Sequence, residues 1–99
     1  MFQILFSIGV EDDLLAIPPY HRNRILNDME EQLAHQPLVS TKKRKLLVNL
    51  LPPWEAASIV RELRSGDYRV FYDVDEANRK VYVRAVRKKP RGKTTKEII

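Results

Sequence analysis

Two clusters of basic side chains contain the residues of this sequence that are best suited to chemistry. The first is an unbroken run of Lys42, Lys43, Arg44 and Lys45. The second, interrupted by one proline and one glycine, contains Arg87, Lys88, Lys89, Arg91 and Lys93. Ammonium and guanidinium groups bind phosphate oxygens and stabilise negative charge that develops on them. The two clusters therefore favour a partner that is rich in phosphate, such as a nucleic acid.

The net charge of +5 is unevenly distributed along the 99 residues. Residues 1–36 carry two basic and six acidic side chains, residues 37–72 carry seven and three, and residues 73–99 carry nine and four. An acidic first third and a basic remainder favour a polyanion bound to one face of the protein. A solvated basic surface without a partner is the alternative, and the clustering of the cations counts against it.

Several classes of site are excluded by composition. Cysteine is absent, which rules out disulfides, thiol nucleophiles and zinc–thiolate sites. The two histidines, His21 and His35, are fourteen residues apart, which does not favour a metal site. No apolar run reaches the roughly 18 residues that span a membrane, and residues 1–10 lack the basic leader and cleavage site of a signal peptide. We expect one cytoplasmic domain over residues 1–99, with 88–99 as a basic tail, and no cofactor, metal or membrane contact.

The first half of the chain predicts one strand and two helices that would position the first basic cluster. Residues 2–8 are apolar and rich in β-formers, so we expect a strand that is buried on both faces. A short helix follows, and a longer one spans Pro19 to Gln36, in which apolar residues recur at helical spacing. Residues 38–53 show no periodicity and predict a long connection that carries the first cluster.

The second half predicts an antiparallel meander, because the hydrophobic period changes to two. Strands are expected over residues 59–64, 68–74 and 80–87, with turns at 65–67 and 75–78. In the middle strand, one face carries Tyr68, Val70, Tyr72 and Val74, and the other carries Arg69, Phe71 and Asp73. In the last strand, alternation places Val81, Val83 and Ala85 opposite Tyr82, Arg84 and Val86.

The helices should cover the valine-rich face of this meander, so that Arg69 and Arg84 project from the open face. A cation on an open sheet face could bind a phosphate bidentately. For Arg69 the alternative is a cross-strand ion pair with an acid such as Asp73. Residues 94–99 predict a short terminal helix.

The segment from Glu62 to Asp75, ELRSGDYRVFYDVD, resembles the hallmark stretch of the RelE/ParE toxins of type II toxin–antitoxin modules. Residues 24–37 and 41–46 are also similar to this superfamily, and the resemblance covers residues 2 to about 89. It implies an α+β fold of the microbial ribonuclease type, in the order β-α-α-β-β-β. The sheet would be antiparallel with about four strands, and the two N-terminal helices would lie on one face.

The resemblance also implies two possible activities. RelE-type members cleave mRNA on the ribosome without a metal, through attack of a 2′-hydroxyl on the adjacent phosphate. ParE-type members instead inhibit DNA gyrase. In both cases a cognate antitoxin neutralises the toxin, and operator DNA is contacted only through the antitoxin complex. A basic module that binds nucleic acid or protein without chemistry is a third possibility, and we favour the ribonuclease.

Site residues follow from the positions that match the family pattern. The expected catalytic residues are Arg69, Lys43, Lys45 and one cation among Arg87, Lys88 and Lys89. The expected RNA-binding residues are Lys42, Arg44, Arg84, Arg91 and Lys93. One departure counts against the ribonuclease: between Lys88 and Lys96, where RelE-type toxins place an acid or base, this chain has Thr94 and Thr95 and no Tyr, His or Asp. Tyr68, Tyr72 or Tyr82 could substitute, although the first two are expected to face the core.

Overall fold

The computed structural model describes residues 1–47, 51–56 and 58–99. Within these residues the strands are β1 (Gln3–Phe6), β2 (Arg44–Leu46), β3 (Arg61–Ser65), β4 (Tyr68–Asp75) and β5 (Lys80–Lys88). The helices are α1 (Val10–Leu15), α2 (Pro19–Leu33) and α3 (Thr95–Ile98). None of these helices is long and apolar enough to cross a membrane.

The described strands form one sheet in the order β1-β5-β4-β3-β2. Strands β2 to β5 pair antiparallel with their neighbours, whereas β1 pairs parallel with β5. The α+β class and the meander are confirmed, and the sheet has five strands rather than about four. The expectation that the first strand is buried on both faces was wrong, because β1 lies at an edge of the sheet and leaves Gln3 and Phe6 exposed.

The fifth strand, β2, lies inside the long connection that was expected over residues 38–53. Its three residues pair with β3, with Arg44 opposite Leu63 and Leu46 opposite Arg61. A three-residue strand carries no periodicity of its own, so its pairing with β3 decides its conformation. The rest of the expected connection includes residues 48–50, which lie outside the described part of the chain.

Helices α1 and α2 cover the valine-rich face of the sheet, as predicted. The buried residues on this side include Val10, Leu14, Ile25, Met29, Leu33, Leu63, Val70, Tyr72, Val74, Val81 and Val83. The β3–β4 turn is fixed to α2, because the Ser65 hydroxyl donates to a carboxylate oxygen of Asp28 at 2.6 Å. Gly66 supplies the positive φ of 58° that this turn needs, and a Cβ there would approach the Arg24 guanidinium to 3.1 Å.

The opposite face is only partly open. Phe71, Ala85, Val60 and Leu47 are buried there, and Trp54, Ala56, Ile98 and Ile99 pack against them. Helix α3 therefore lies across this face, which the sequence had predicted to be uncovered. At its start, the Glu97 carboxylate accepts hydrogen bonds from the backbone N–H and the hydroxyl of Thr94, both at 3.1 Å.

A β-bulge in β5 corrects the alternation expected for that strand. Phe71 lies opposite Ala85, but Tyr72 lies opposite Val83, so Arg84 is an extra residue on β5. An extra residue in a strand reverses the side of the sheet to which each later side chain points, relative to simple alternation. Ala85 consequently joins the α3 side, and Val86 packs with the helices on the other side.

Candidate nucleic-acid interface

A groove of about 470 Å³ lies on the α3 side of the sheet, between β2, β3, the chain after β5 and α3. Its lining residues are Lys45, Leu46, Leu47, Glu62, Arg64, Lys89, Lys93, Thr94, Thr95 and Lys96. Pairing of β2 with β3 places Lys45 directly opposite Glu62. The groove thus collects five cations and one carboxylate from segments that are far apart in sequence.

A second hollow of about 370 Å³ adjoins this groove. It is lined by Asp67, Arg69, Lys88, Lys89, Pro90, Arg91, Gly92 and Lys93. Lys89 and Lys93 line both hollows, and we refer to the two together as the basic groove. The chain that carries these cations is held in place because the N–H of Lys89 donates to the carbonyl oxygen of Asp67 at 2.7 Å.

Arg69 is buried beneath the basic groove rather than projecting from an open face. Its Nη1 donates to the carbonyl oxygens of Gly66 at 3.0 Å and of Tyr68 at 2.9 Å. Its Nε lies 3.7 Å from Oε1 of Glu62 and has no hydrogen-bond partner. Burial lowers the pKa of Arg69 from its ordinary value, an effect that Glu62 opposes and the neighbouring Arg64 reinforces. The expected exposure was wrong because the side chain folds back onto its own turn.

Glu62 lies on the floor of the groove. Only 2% of the residue is exposed. Besides the long contact to Arg69, its Oε1 accepts a hydrogen bond from the hydroxyl of Thr95 at 2.8 Å. Thr95 of α3 therefore contacts the Glu62 carboxylate from the groove side, and Arg69 approaches it from the neighbouring strand β4.

The predicted cations after β5 divide between two places. Lys88, Lys89, Arg91 and Lys93 line the basic groove. Arg87 does not, because its Nη1 donates to Oδ2 of Asp13 on α1 at 2.7 Å. Of the three candidates for the second catalytic cation, Lys89 is the one that lines both hollows.

The first basic cluster divides in the same way. Lys45 enters the groove, whereas Lys42 and Lys43 are exposed residues before and outside it. Arg44 is buried on the helix side, where Nη1 donates to the carbonyl oxygens of Gln32 at 2.8 Å and Gln36 at 2.6 Å. Carbonyls at the end of a helix lack partners within the helix. Arg44 therefore caps α2 and is not available to a nucleic acid.

Arg84 lies at the other end of the same sheet face. Its Nε and Nη2 donate to the two carboxylate oxygens of Asp73 at 2.7 and 3.1 Å, and its Nη1 donates to the Ser7 hydroxyl at 3.0 Å. The hydrogen bonds that Arg84 donates to Asp73 raise the pKa of Arg84, and the guanidinium also stacks 4.7 Å above the Tyr82 ring. Asp73 is four residues beyond Arg69 on β4, a separation of about 13 Å. Arg84 therefore does not join the basic groove.

Solved structures share this architecture. The isolated RelE toxin of E. coli superposes with a TM-score of 0.67 at 18% identity, covering 98% of this chain and 94% of that one. A chain of the archaeal RelE–RelB complex from Pyrococcus horikoshii gives 0.65 at 24% identity, covering 94% and 98%. A chain of the RelBE2 toxin–antitoxin complex from Mycobacterium tuberculosis gives 0.63 at 21% identity, covering 86% and 94%.

This chain has the fold of RelE toxins. No family model and no curated protein matches the sequence, so the likeness lies in the path of the backbone. Within the RelE fold, the basic groove occupies the sheet face that α1 and α2 leave uncovered.

The three tyrosines that the sequence offered as an acid or base, Tyr68, Tyr72 and Tyr82, do not line the basic groove. Tyr72 is buried on the helix side, where its hydroxyl donates to the carbonyl oxygen of Pro37 at 2.7 Å. Burial raises the pKa of Tyr72 to about 12, although Arg61 and Arg44 oppose the shift. Tyr68 is buried on the same side and Tyr82 lies under Arg84.

Sequence reasoning missed Arg64, Lys96 and Glu62 as groove residues. A signal existed for two of them, because strand alternation across the 65–67 turn puts Arg64 opposite Arg69 and Glu62 on the same face. Lys96 had no such signal, since its place depends on how α3 docks. The described residues contain no group of three or more acidic, histidine or cysteine side chains that could hold a metal ion.

Proposed function

We propose that this chain is the toxin of a type II toxin–antitoxin module and that it cleaves mRNA on the ribosome. The observation that carries the proposal is the convergence of Lys45, Arg64, Lys89 and Lys93 on one groove of a RelE-like fold. Fixed cations attract a polyanion such as RNA over a long range.

The chemistry suited to this groove is transesterification within the RNA. The 2′-oxygen attacks the adjacent phosphorus, the bond from phosphorus to the 5′-oxygen breaks, and the products are a cyclic phosphate and a 5′-hydroxyl. Negative charge accumulates on the phosphoryl oxygens during the attack. Lys45, Arg64 and Lys89 would stabilise that charge, because preorganised cations in a partly desolvated site act strongly on it. Arg69 would fix the floor beneath them through its bonds to Gly66 and Tyr68.

The proposed protein partner is a cognate antitoxin, acting in the cytoplasm where ribosomes are found. An acidic antitoxin segment would complement the basic groove. Operator DNA would then be contacted through the antitoxin, leaving the groove of this chain blocked.

The test is inducible expression in bacteria, with growth followed alongside primer extension on an abundant transcript. We expect growth arrest with new cuts inside translated codons. The variant in which both Lys89 and Lys93 are changed to Ala should lose the cuts, whereas the matched control Lys80→Ala, on β5 outside the groove, should keep them. Growth arrest with intact transcripts and filamented cells would move the target to DNA gyrase. Unimpaired growth at confirmed expression would leave a binding module without chemistry.

A further inference from the structure

We infer that Glu62 accepts the proton of the attacking 2′-hydroxyl, an inference that rests on the proposed ribonuclease function. Among the described residues that line the larger hollow, Glu62 is the one carboxylate. Transesterification needs a proton acceptor within hydrogen-bond reach of the 2′-oxygen. The two basic clusters supply cations that stabilise negative charge, but they contain no carboxylate or imidazole that could accept this proton.

The other groups that line this hollow are poorly suited to accepting a proton. An ammonium group and a guanidinium group have no lone pair to offer, and guanidinium stays protonated at any working pH. Thr94 and Thr95 are hydroxyls, which are weak bases. Tyr72 does not line this hollow, because its hydroxyl donates to the carbonyl oxygen of Pro37 on the other side of the sheet. A carboxylate that lies among cations has both the lone pairs and the position.

The contacts of Glu62 leave it available, unlike those of the other buried carboxylate on this face. Asp73 is bonded through both oxygens to the Arg84 guanidinium. Glu62 instead stands 3.7 Å from Arg69 Nε without a hydrogen bond between them. Its hydrogen bond comes from a hydroxyl, that of Thr95. A 2′-hydroxyl of RNA is the same kind of donor, so the substrate could replace Thr95 at Oε1 without leaving a buried carboxylate unsatisfied.

The proton of the 2′-hydroxyl passes to a carboxylate oxygen of Glu62 as the 2′-oxygen forms its bond to phosphorus. The bond from phosphorus to the 5′-oxygen breaks, and that oxygen takes a proton from water. Glu62 then returns its proton to water, which restores the carboxylate. Arg69, held by two backbone carbonyls, acts as a positioning residue that keeps the carboxylate at the groove floor.

The charged and titratable groups that face Glu62 come from every neighbouring segment. They are Lys45 from β2, Arg64 from β3, Arg69 from β4, Lys89 and Lys93 from the chain after β5, and Lys96 from α3. All of them are cations. The other carboxylate of the basic groove, Asp67, lines the smaller hollow and not the larger one that contains Glu62.

The decisive experiment measures single-turnover cleavage of mRNA on programmed ribosomes by the full chain and by Glu62→Gln. Glutamine keeps the size and the acceptor for Thr95 but is not a base. We expect the cleavage rate to fall at least about 100-fold, while ribosome affinity stays equal or improves because a negative charge has left the groove. The matched control Glu76→Gln, in the exposed β4–β5 turn, should cleave like the unmodified chain. Cleavage by Glu62→Gln within threefold of the unmodified rate would overturn the inference.

A second measurement needs no variant and stands even if Glu62→Gln unfolds. The single-turnover rate of the unmodified chain should not rise with pH from about 7 to 9, whereas a reaction that used an amine as the base would accelerate there as the amine lost its proton. A rate that rises about tenfold per pH unit there would indicate a lysine base and would overturn the inference. If the unmodified chain makes no cuts, the proposed function itself fails, which is a different result from a cut that survives loss of the carboxylate.

Discussion

Two arginine–carboxylate pairs lie on the same face of one sheet, and they differ in how tightly they are closed. At one end, Arg84 and Asp73 form a fork with distances of 2.7 and 3.1 Å. At the other end, Arg69 and Glu62 approach to 3.7 Å without a hydrogen bond. All four residues are wholly or largely buried, so burial does not explain the difference.

The difference lies in what else each arginine binds. Arg69 uses Nη1 on the carbonyls of its own turn, which draws the guanidinium away from the carboxylate. Arg84 has its fork free for Asp73 and uses Nη1 on Ser7. A closed fork holds strands β4 and β5 together. In the open pair, the distance of 3.7 Å leaves the hydroxyl of Thr95, and not an arginine, as the hydrogen-bond donor to Glu62.

The largest expected effect tests the closed pair. Asp73→Ala should cost about 3–5 kcal/mol of unfolding free energy, because it strands the Arg84 guanidinium in a largely buried position. Urea unfolding measures this directly, with Glu76→Ala as an exposed control expected within about 0.5 kcal/mol of the unmodified chain. A cost below about 1 kcal/mol would show that the fork is not what holds this end of the sheet.

Tyr72 is a second buried polar group that should stabilise the fold, and its contribution to the unfolding free energy should depend on pH. Its folded pKa is about 12, above the ordinary tyrosine value near 10. Stability from the neutral hydroxyl is therefore complete below about pH 10 and is lost as pH rises toward 12, by roughly 3 kcal/mol in all. Unfolding free energies measured from pH 9 to 12 should fall more steeply for the unmodified chain than for Tyr72→Phe. Parallel curves would contradict this account.

A substitution in the basic groove should weaken nucleic-acid binding without changing the stability of the fold. Lys89→Ala should weaken association with mRNA-loaded ribosomes about tenfold and reduce the salt dependence by about one counterion. Its unfolding free energy should stay within about 0.5 kcal/mol of the unmodified value. Affinity measured across a salt series checks this, with Lys80→Ala as the control. An unchanged salt slope would place Lys89 outside the phosphate path.

The smallest expected effect concerns α3, which holds Glu62 through Thr95. Thr94→Ala removes the hydroxyl that bonds to Glu97 and should weaken this short helix by about 1 kcal/mol or less. Hydrogen exchange at the α3 amides should become faster, while the global unfolding free energy barely changes. Faster exchange of the β4 and β5 amides as well would show that α3 supports the sheet, in conflict with a merely local role.

Much of the fold could be predicted because its signals are local. The apolar stripe of α2 and the alternation of β4 are periodic patterns that are visible within each segment alone. The strand β2 could not be predicted, since Arg44–Leu46 become extended only when β3 supplies partners. The reversal at Ala85 and Val86 was also hidden, because one extra residue at Arg84 has no sequence signature.

The site was less predictable than the fold, because it depends on which cations find partners elsewhere. Arg44, Arg84 and Arg87 look like binding residues in the sequence, yet each is occupied by a helix end or by a carboxylate. Glu62 was overlooked because a single acid in a strand next to arginines resembles an ordinary solvated residue. Its significance depends on α3, which closes over it from more than thirty positions away.

The parallel pairing of β1 with β5 has a consequence for how the chain is made. Gln3–Phe6 pair with Lys80–Val83, so an early segment of the chain must wait for a late one. Contacts between such distant segments form slowly because the intervening loop must first close. While the chain is being synthesised from its N-terminus, the sheet cannot be completed until β5 has emerged. The basic groove, which needs the segment after β5, therefore cannot form on the nascent chain before that segment has emerged.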